Sequence, residues 1–405
     1  MRTKQLALLL VTALWASACG SDDGTGTVDQ ECTITLGAAT SETGTFAREG
    51  EWNRRGYDIW LEWVNGEGGG IQVGDQVCNA EIIYYDDESD ADTSARLYEK
   101  LIVEDEVDFL LGPYSSGLTL STSAIAERYG VIMVEAHGAS EVLFERGFEN
   151  LFAVLTPASY YTESALKALA DAGAKTLVIA NRDETFSAAA ADGAVQWAED
   201  YGMTVLARET YPPDADLTSI MTKFRDLNPD VFIGAGHFND SIQFVRTAQE
   251  LGFAPAAMML TVGPDSPEFV AELGADAEFI LGDSQWDRTM AYEDEYFGTA
   301  ADFAQHYHDL YGEFPPYQVA SSTAAALALQ LAIETAGTLE MDDVREALRN
   351  LEVDTFYGPI AFDGTGANTA KPMVTVQVID GAARVVAPVD VAEYELQYPA
   401  PGSGR

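Results

Sequence analysis

Val107-Asp108-Phe109-Leu110-Leu111-Gly112-Pro113-Tyr114-Ser115-Ser116-Gly117 is the stretch whose reading decides the fold. Phe109 to Leu111 is apolar without alternation, as a strand buried on both faces of a parallel sheet must be. Gly112-Pro113 breaks the strand. Ser115 and Ser116 then stand at the N-cap of a helix whose inward positions are Leu118, Thr122, Ile125 and Tyr129. A strand that ends in hydroxyl residues at a helix N-terminus makes an anion pocket, because free N–H groups, the helix dipole and two hydroxyls converge there. A carboxylate or a phosphate suits such a pocket, and a well-capped helix without ligand has the same sequence.

The same grammar repeats outward from this stretch. Strands are expected at 33–39, 80–85 and 131–134, with helices at 52–65 and 93–103 between them. Their carboxyl ends run into Thr40-Ser41-Glu42-Thr43-Gly44, Asp86-Asp87-Glu88-Ser89-Asp90 and Glu135-Ala136-His137-Gly138-Ala139-Ser140. The four acids in the second of these loops lack the glycine and terminal glutamate of a calcium loop, so a solvated loop is expected. Strand and helix alternating every 25 to 35 residues or so describe a doubly wound parallel sheet, whose ligands sit beyond the strand carboxyl ends. A second series follows, with strands at 177–180, 205–208, 231–233 and 258–261 and helices at 186–201, 217–227 and 242–251. The strand-end loops here carry Arg182, Phe186, His237 and Asp265. Two such lobes facing each other make a cleft, and roughly 375 residues after a leader are too many for one core.

The start of the chain reads as an export signal. Arg2 and Lys4 precede the apolar run 6–15, and Ala16-Ser17-Ala18-Cys19 follows. Residues 1–19 are expected to be a signal peptide whose end resembles a bacterial lipobox, with Ala16 where leucine is preferred and Cys19 as the lipidation site. Ordinary cleavage after Ala18 is the alternative, and 20–31 are expected to be a flexible Gly/Ser/Thr/Asp tether. No later segment is read as spanning a bilayer. With 66 acidic and 22 basic residues the formal charge is −44, and removing Arg2 and Lys4 makes it more negative still. Such a field excludes nucleic acid and anionic membrane surfaces as partners. Only six of the basic residues are lysine, a balance suited to salty solvent where screening removes self-repulsion.

Catalytic signatures are missing from the sequence. There is no Gly-x-Ser-x-Gly, no Gly-x-x-x-x-Gly-Lys and no His-Glu-x-x-His. Ser115 or Ser116 with His137 or His237 makes a conceivable nucleophile and base, but a capping serine is already committed to backbone donors. The four histidines and three cysteines are too scattered for a metal site, and no cofactor is expected.

Gly112-Pro113-x-Ser115-Ser116-Gly117, Asn65-x-x-Gly68-Gly69 with Ile71, and Phe356-Tyr357-Gly358-Pro359-Ile360-Ala361-Phe362-Asp363-x-x-Gly366, in that order and spacing, resemble the type I extracytoplasmic solute-binding proteins of ABC importers. The group is that of leucine/isoleucine/valine-binding and amide-binding receptors, and the resemblance runs from about Cys32 to Val389. It implies an α/β fold of two doubly wound parallel-sheet lobes joined by a three-strand hinge, with crossovers near 154–157, 283–287 and 356–358. The lobes are then 32–154 plus 285–355 and 155–284 plus 356–398, with Asp380-Gly381 as a hairpin turn in the closing run.

The resemblance also implies a role for each site residue. Ser116, beside Ser115, holds the carboxylate of an amino acid, and Asp265 takes the ammonium. Ala136 and Gly138 offer backbone groups, although the family places a threonine where Gly138 stands. Phe186 and His237 occupy positions where tyrosines commonly wall the cleft. The expected function is delivery of a hydrophobic or branched-chain-like amino acid to an ABC permease by lobe closure, not catalysis. An amide, urea or aromatic acid, or a sensory role, is the alternative. The expected product is a monomeric, exported lipoprotein in the periplasm or at the cell surface, held to a membrane only by its anchor. In that oxidising compartment Cys32 and Cys78, each just before adjacent strands at one end of the sheet, are expected to pair.

Overall fold

The computed structural model describes residues 32–213 and 215–403. The signal peptide, Cys19 and the tether therefore lie outside the described residues. The chain opens with β1 (Thr33–Thr40), α1 (Ala47–Asn65), β2 (Ile71–Val73), β3 (Gln76–Asp86), α2 (Ala91–Val103), β4 (Phe109–Leu111), α3 (Ser116–Tyr129), β5 (Met133–Glu135) and β6 (Leu151–Ala153). These strands form one sheet in the order β2-β3-β1-β4-β5-β6, parallel apart from the short antiparallel β2. Phe109, Leu110 and Leu111 are all fully buried, as a strand covered on both faces requires.

A second sheet follows from α4 (Glu163–Asp171), β7 (Thr176–Arg182), α5 (Thr185–Asp200), β8 (Thr204–Tyr211), α6 (Thr218–Leu227), β9 (Val231–Ala235), α7 (Phe238–Leu251), β10 (Ala257–Leu260), α8 (Pro267–Leu273) and β11 (Leu281–Ser284). The chain then makes a short antiparallel pair, β12 (Glu293–Asp294) and β13 (Gly298–Thr299). Three helices, α9 (Ala300–Tyr311), α10 (Tyr317–Ala336) and α11 (Met341–Arg349), precede the hairpin β14 (Glu352–Thr355) and β15 (Gly358–Ala361). It returns through β16 (Val374–Ile379) and β17 (Ala382–Ala387), which add antiparallel strands to the second sheet in the order β17-β16-β11-β10-β9-β7-β8. Asp380-Gly381 makes the two-residue turn between them. Residues 356–358 form the end of the β14–β15 hairpin, and Ala367 and Asn368 beyond it run beside β6, with Asn368 Nδ2 donating to Val154 O at 3.0 Å.

Two features escape the hydrophobic pattern for identifiable reasons. Helix α1 begins well before residue 52 because its first turn carries Glu49, a buried polar residue invisible to an apolar-period reading. Strand β2 hides behind Gly68-Gly69-Gly70, which reads only as a helix stop. Helix α10 is 20 residues long with mean hydropathy 1.3, enough by length to cross a membrane, yet 83% of that window is buried in the protein. It packs along α1 so closely that a Cβ on Gly56 would lie 2.4 Å from Val319 O. Thr323 Oγ1 donates to Gly56 O at 2.8 Å and Trp60 Nε1 to Gln330 Oε1 at 3.0 Å across the same interface.

Cys32 and Cys78 are joined by a disulfide that closes a 46-residue separation. In the chain-entropy picture a loop of this size stabilises the fold by about 4 kcal/mol, less any native strain. Replacing both cysteines by serine should therefore lower the denaturant midpoint, corresponding to about 2–4 kcal/mol. An unchanged midpoint would show that the cross-link contributes nothing to stability.

Candidate functional site

The carboxyl ends of the first sheet satisfy their own backbone. Glu135 closes β5 with its side chain turned back onto the loop that follows it. Its Oε1 accepts from His137 N at 2.6 Å and Gly138 N at 3.0 Å, and its Oε2 lies 2.9 Å from Thr119 Oγ1. The carboxyl fills the space beside Gly112, where a Cβ would stand 1.8 Å from Glu135 Oε2. Burial pushes this carboxyl up to about 7, against the hydrogen bonds that favour its ionised form. Ser116, the first residue of α3, accepts from Ala139 N at 3.0 Å and Ser140 N at 3.1 Å through Oγ, which leaves its own hydroxyl hydrogen to donate. Ser115 is the N-cap of α3, and its Oγ is buried with no partner in the chain.

The acidic loop after β3 is solvated at Glu88 and Asp90, as expected, but Asp86 and Asp87 make it a clasp. Asp87 is fully buried and accepts from Ser41 Oγ at 2.6 Å, while Asp86 accepts from Glu42 N and Thr43 N. The two loops are tied together because their free N–H groups need acceptors. Asp90 caps α2 by accepting from Thr93 N.

Facing these loops, the second sheet presents a charged strand end. Glu184 is the N-cap of α5 and accepts from Phe186 N at 2.9 Å and Ser187 N at 2.6 Å. Arg182 and Asp240 form a buried ion pair at 3.2 Å. His237 is the N-cap of α7, its N–H donating to Asp240 Oδ2 at 2.9 Å and its Nε2 standing 3.4 Å from Glu184 Oε1. Burial opposes charge on both members of that pair. The attraction wins, because Glu184 is held down at about 2 and the imidazole is raised by Glu184, Glu49 and Asp240.

Contacts between the sheets bring the two sets together. Tyr114 OH and His237 Nδ1 are 2.8 Å apart. Glu49 Oε1 accepts from Phe238 N at 3.1 Å, at the positive end of α7, and Trp52 Nε1 donates to Glu268 Oε1 at 2.9 Å. Rings of Phe46, Tyr114, His137, Phe186 and Tyr161 surround His237 directly or through one another, with centroid separations of 4.7 to 5.5 Å.

Asp265 is not the cap of the following helix, a role taken by Ser266, whose hydroxyl accepts from Phe269 N. Its Oδ2 instead accepts from Ser284 Oγ at 3.3 Å and Tyr317 N at 3.4 Å, at the start of α10. Its Oδ1 has no partner, and burial pushes this carboxyl up to about 7. Asp283, at the end of β11, is fully buried with neither oxygen partnered, and burial together with Asp265 pushes it well above the carboxylate range.

Of the residues singled out in sequence, Ser115, Ser116, Ala136 and Gly138 share the strand ends of the first sheet. Phe186 and His237 meet that group across the cleft through Tyr114. Asp265 joins it by way of Tyr161 and Tyr317, beside which it stands. Glu49, Tyr114, Glu135, Glu184 and Asp283 are bonded to or buried beside the same groups and escaped the sequence reading of roles. Tyr114 and Glu135 lie inside the strand-end stretches already quoted; Glu49 carries no local signal.

The histidine pair has a pH signature. His237 has a raised value, so its contribution to stability is present below its unfolded value of about 6.5 and is lost as pH rises through the folded value. Glu184 contributes above its unfolded value of about 4.5 and loses that contribution as pH falls toward 2. Glu184→Gln should move the His237 imidazole titration downward in an NMR pH series. An unmoved titration would show that Glu184 is not its counter-ion.

With this geometry in hand, comparison with known proteins is informative. Residues 33–383 match the sequence family described as periplasmic binding protein. A Leu/Ile/Val-binding protein homolog 7 of Brucella abortus is 23% identical over 414 residues, covering 98% of this chain and 99% of the relative. Among solved structures, the leucine binding protein LivK of Thermotoga maritima has a TM-score of 0.78 at 22% identity, covering 87% of this chain and 97% of that one. LivJ of Streptococcus pneumoniae, in complex with isoleucine, gives 0.76 at 22% identity, covering 88% and 100%. A solute-binding protein of an ABC transporter from R. palustris, in complex with benzoate, gives 0.75 at 17% identity, covering 91% and 97%. The match spans most of the chain and the architecture agrees throughout: this protein belongs to the periplasmic binding protein family.

Proposed function

We propose that the protein is an extracytoplasmic solute receptor that closes two lobes on an amino acid, hydrophobic or branched-chain-like, and delivers it to an ABC permease. The observation that carries this reading is a set of buried polar atoms with no partner in the chain, contributed by both sides of one cleft. Ser115 Oγ and His137 Nδ1 come from the first lobe, and Asp265 Oδ1 and both Asp283 carboxyl oxygens from the second. Each such atom costs about 1–3 kcal/mol when buried unpaired, so the closed arrangement favours a solute that supplies donors and acceptors to both lobes. A zwitterion fits: its carboxylate takes the hydroxyls of Ser115 and Ser116 and the N-terminus of α3, and its ammonium takes Asp265. In this reading the site binds rather than transforms, since Ser116 Oγ already accepts from two backbone N–H groups and His237 is paired with Glu184. The named relatives of this chain, Leu/Ile/Val-binding protein homologs and proteins solved with isoleucine or leucine, support the amino-acid reading.

In this reading the lobes are 32–154 plus 285 to about 368, and 155–284 plus the run from about 369 to 398, because β15 pairs with β14 and Ala367 with Ala153; they move about the passages between them. The protein acts as a monomer outside the cytoplasm, held to the membrane by lipid at Cys19. An aromatic acid is the second reading, favoured by the rings of Phe46, Tyr114, Tyr161 and Phe186 and by the benzoate-bound relative.

Mass spectrometry of solute released from the purified, denatured protein should identify an amino acid; recovery of an aromatic acid instead would select the second reading. Saturation with that solute should reduce the radius of gyration in X-ray scattering, and unchanged scattering would exclude lobe closure.

Asp265→Asn should weaken a zwitterion roughly ten- to a hundredfold in calorimetry, the loss of a charge-assisted bond. Because the Asp265 carboxyl sits at about 7, wild-type affinity should fall as pH drops below that value, and the asparagine variant should lose this slope. Equal affinities and slopes in the two proteins would remove the ammonium from Asp265.

A further inference from the structure

The strand-end loop that faces the cleft from β5 is occupied from within. Four consecutive backbone N–H groups, those of His137, Gly138, Ala139 and Ser140, are the donors a bound carboxylate would be expected to use there. Glu135 takes the first two and Ser116 Oγ takes the last two. Gly112 is needed to admit the Glu135 carboxyl, since a side chain at that position would collide with it. The acid is not a surface group folded in by chance: it is fully buried and has hydrogen bonds to both oxygens.

From this geometry we infer that Glu135 is a specificity-determining residue that sets the charge selectivity of the cleft, excluding net-anionic solutes in favour of zwitterions. The inference rests on the reading of the inter-lobe cleft as the solute site. Its physical basis is that a fixed acid beneath the Ser115–Ser116 corner raises the cost of a second carboxylate there. A zwitterion tolerates this because its ammonium is held by Asp265, whereas a monocarboxylate brings nothing to offset the repulsion. The donors left for a solute in this corner are two hydroxyls and the first turn of α3, fewer than an anion without a counter-charge requires.

Groups packed around Glu135 do not neutralise it. Tyr57 from α1 and Tyr98 from α2 stand near it with phenols pushed well above their ordinary range, chiefly by burial, so both are neutral. His137 beside it is pushed by burial down to about 3 and is neutral as well. Thr119 from α3 contributes only a hydroxyl, 2.8 Å from Ser115 O and 2.9 Å from Glu135 Oε2. Near pH 8.5, more than a unit above the value of about 7 for this carboxyl, it is mostly ionised.

The test uses the mature protein and two solutes of one shape: L-leucine, and 4-methylpentanoate, which is leucine without its ammonium. Benzoate serves as a third probe. In calorimetry near pH 8.5, wild type should reject both monocarboxylates. Glu135→Gln keeps the shape and the acceptor for His137 N and Gly138 N, and it should gain affinity for both by roughly tenfold or more, with leucine changed much less. Glu135→Asp, which keeps the charge, should still reject them, separating charge from packing, and melting temperatures establish that each variant is folded. Monocarboxylate binding that is equal in wild type and Glu135→Gln, including no binding by either, overturns the inference. Failure of leucine to bind wild type counts against the amino-acid reading alone, because the gain of anion binding in Glu135→Gln is read independently of it.

Discussion

A buried parallel strand leaves backbone N–H groups at its carboxyl end that water cannot reach, and each must find an acceptor. Most of the site follows from how that requirement is met. In the first lobe Glu135 and Ser116 accept from the four N–H groups after β5, and Asp86 and Asp87 tie the loops after β1 and β3. In the second lobe Glu184 and Asp240 do the same for the starts of α5 and α7. The acceptors are acids in nearly every case, so satisfying the backbone also loads the cleft with negative charge. Arg182 and His237 are then held in place by that charge.

Closure joins the two lobes through groups of the same kind. Glu49 belongs to α1 but accepts from the first N–H of α7, so a helix of one lobe is capped by an acid of the other. Trp52 reaches Glu268 at the start of α8, and Tyr114 meets His237 at the cap of α7. Of these contacts only that of Glu49 is to a free helix N–H, where the dipole favours an acceptor; the other two join side chains at the starts of α8 and α7. When the lobes part, water can satisfy the same groups. The two arrangements thus differ by a modest number of exchanged hydrogen bonds, which allows a small solute to tip the balance between them.

How much of this was legible in the sequence depends on which interactions are local. The alternation of apolar strands with amphipathic helices is a local property, and it located most strands of both sheets and the loops at their ends, though not the short β2, β6 and β11. Ser115 was readable as the residue preceding α3 for the same reason, although its hydroxyl makes no capping bond. Glu49 was not, because its partner is Phe238, far along the chain, and nothing in Arg48-Glu49-Gly50 marks an acid that will be buried. The acidic run after β3 is solvated at Glu88 and Asp90 as its composition suggests; what could not be read is the burial of Asp87, which depends on Ser41 arriving from another loop. Glu135 was visible as a strand end, yet its inward turn depends on the missing side chain of Gly112 at the end of the adjacent strand, far from it in sequence. Phe356 to Gly358 was read as a passage between lobes, and those residues form the end of a hairpin. The sequence motif there is real, but a turn and a crossover both demand a glycine flanked by apolar residues.

The movement that binding requires also depends on what cannot move. The Cys32–Cys78 bridge fastens the start of β1 to β3, and α1 is locked to α10 by a backbone approach that leaves Gly56 no room for a side chain. Packed interiors of this density shift as units rather than deform, so α1 carries Glu49 and Trp52 as parts of a rigid body. The second lobe is fastened comparably by the buried Arg182–Asp240 pair and by β16 and β17 laid along β11. Flexibility is therefore left to the segments that run between the sheets, where Thr156, Gln285 and Lys371 bond mainly to one another. Thr156 N donates to Gln285 Oε1 at 3.1 Å, Thr156 Oγ1 donates to Lys371 O at 2.7 Å, and Lys371 Nζ donates to Gln285 Oε1 at 2.9 Å. Because these bonds join one passage to the next, they can persist while the lobes rotate about them.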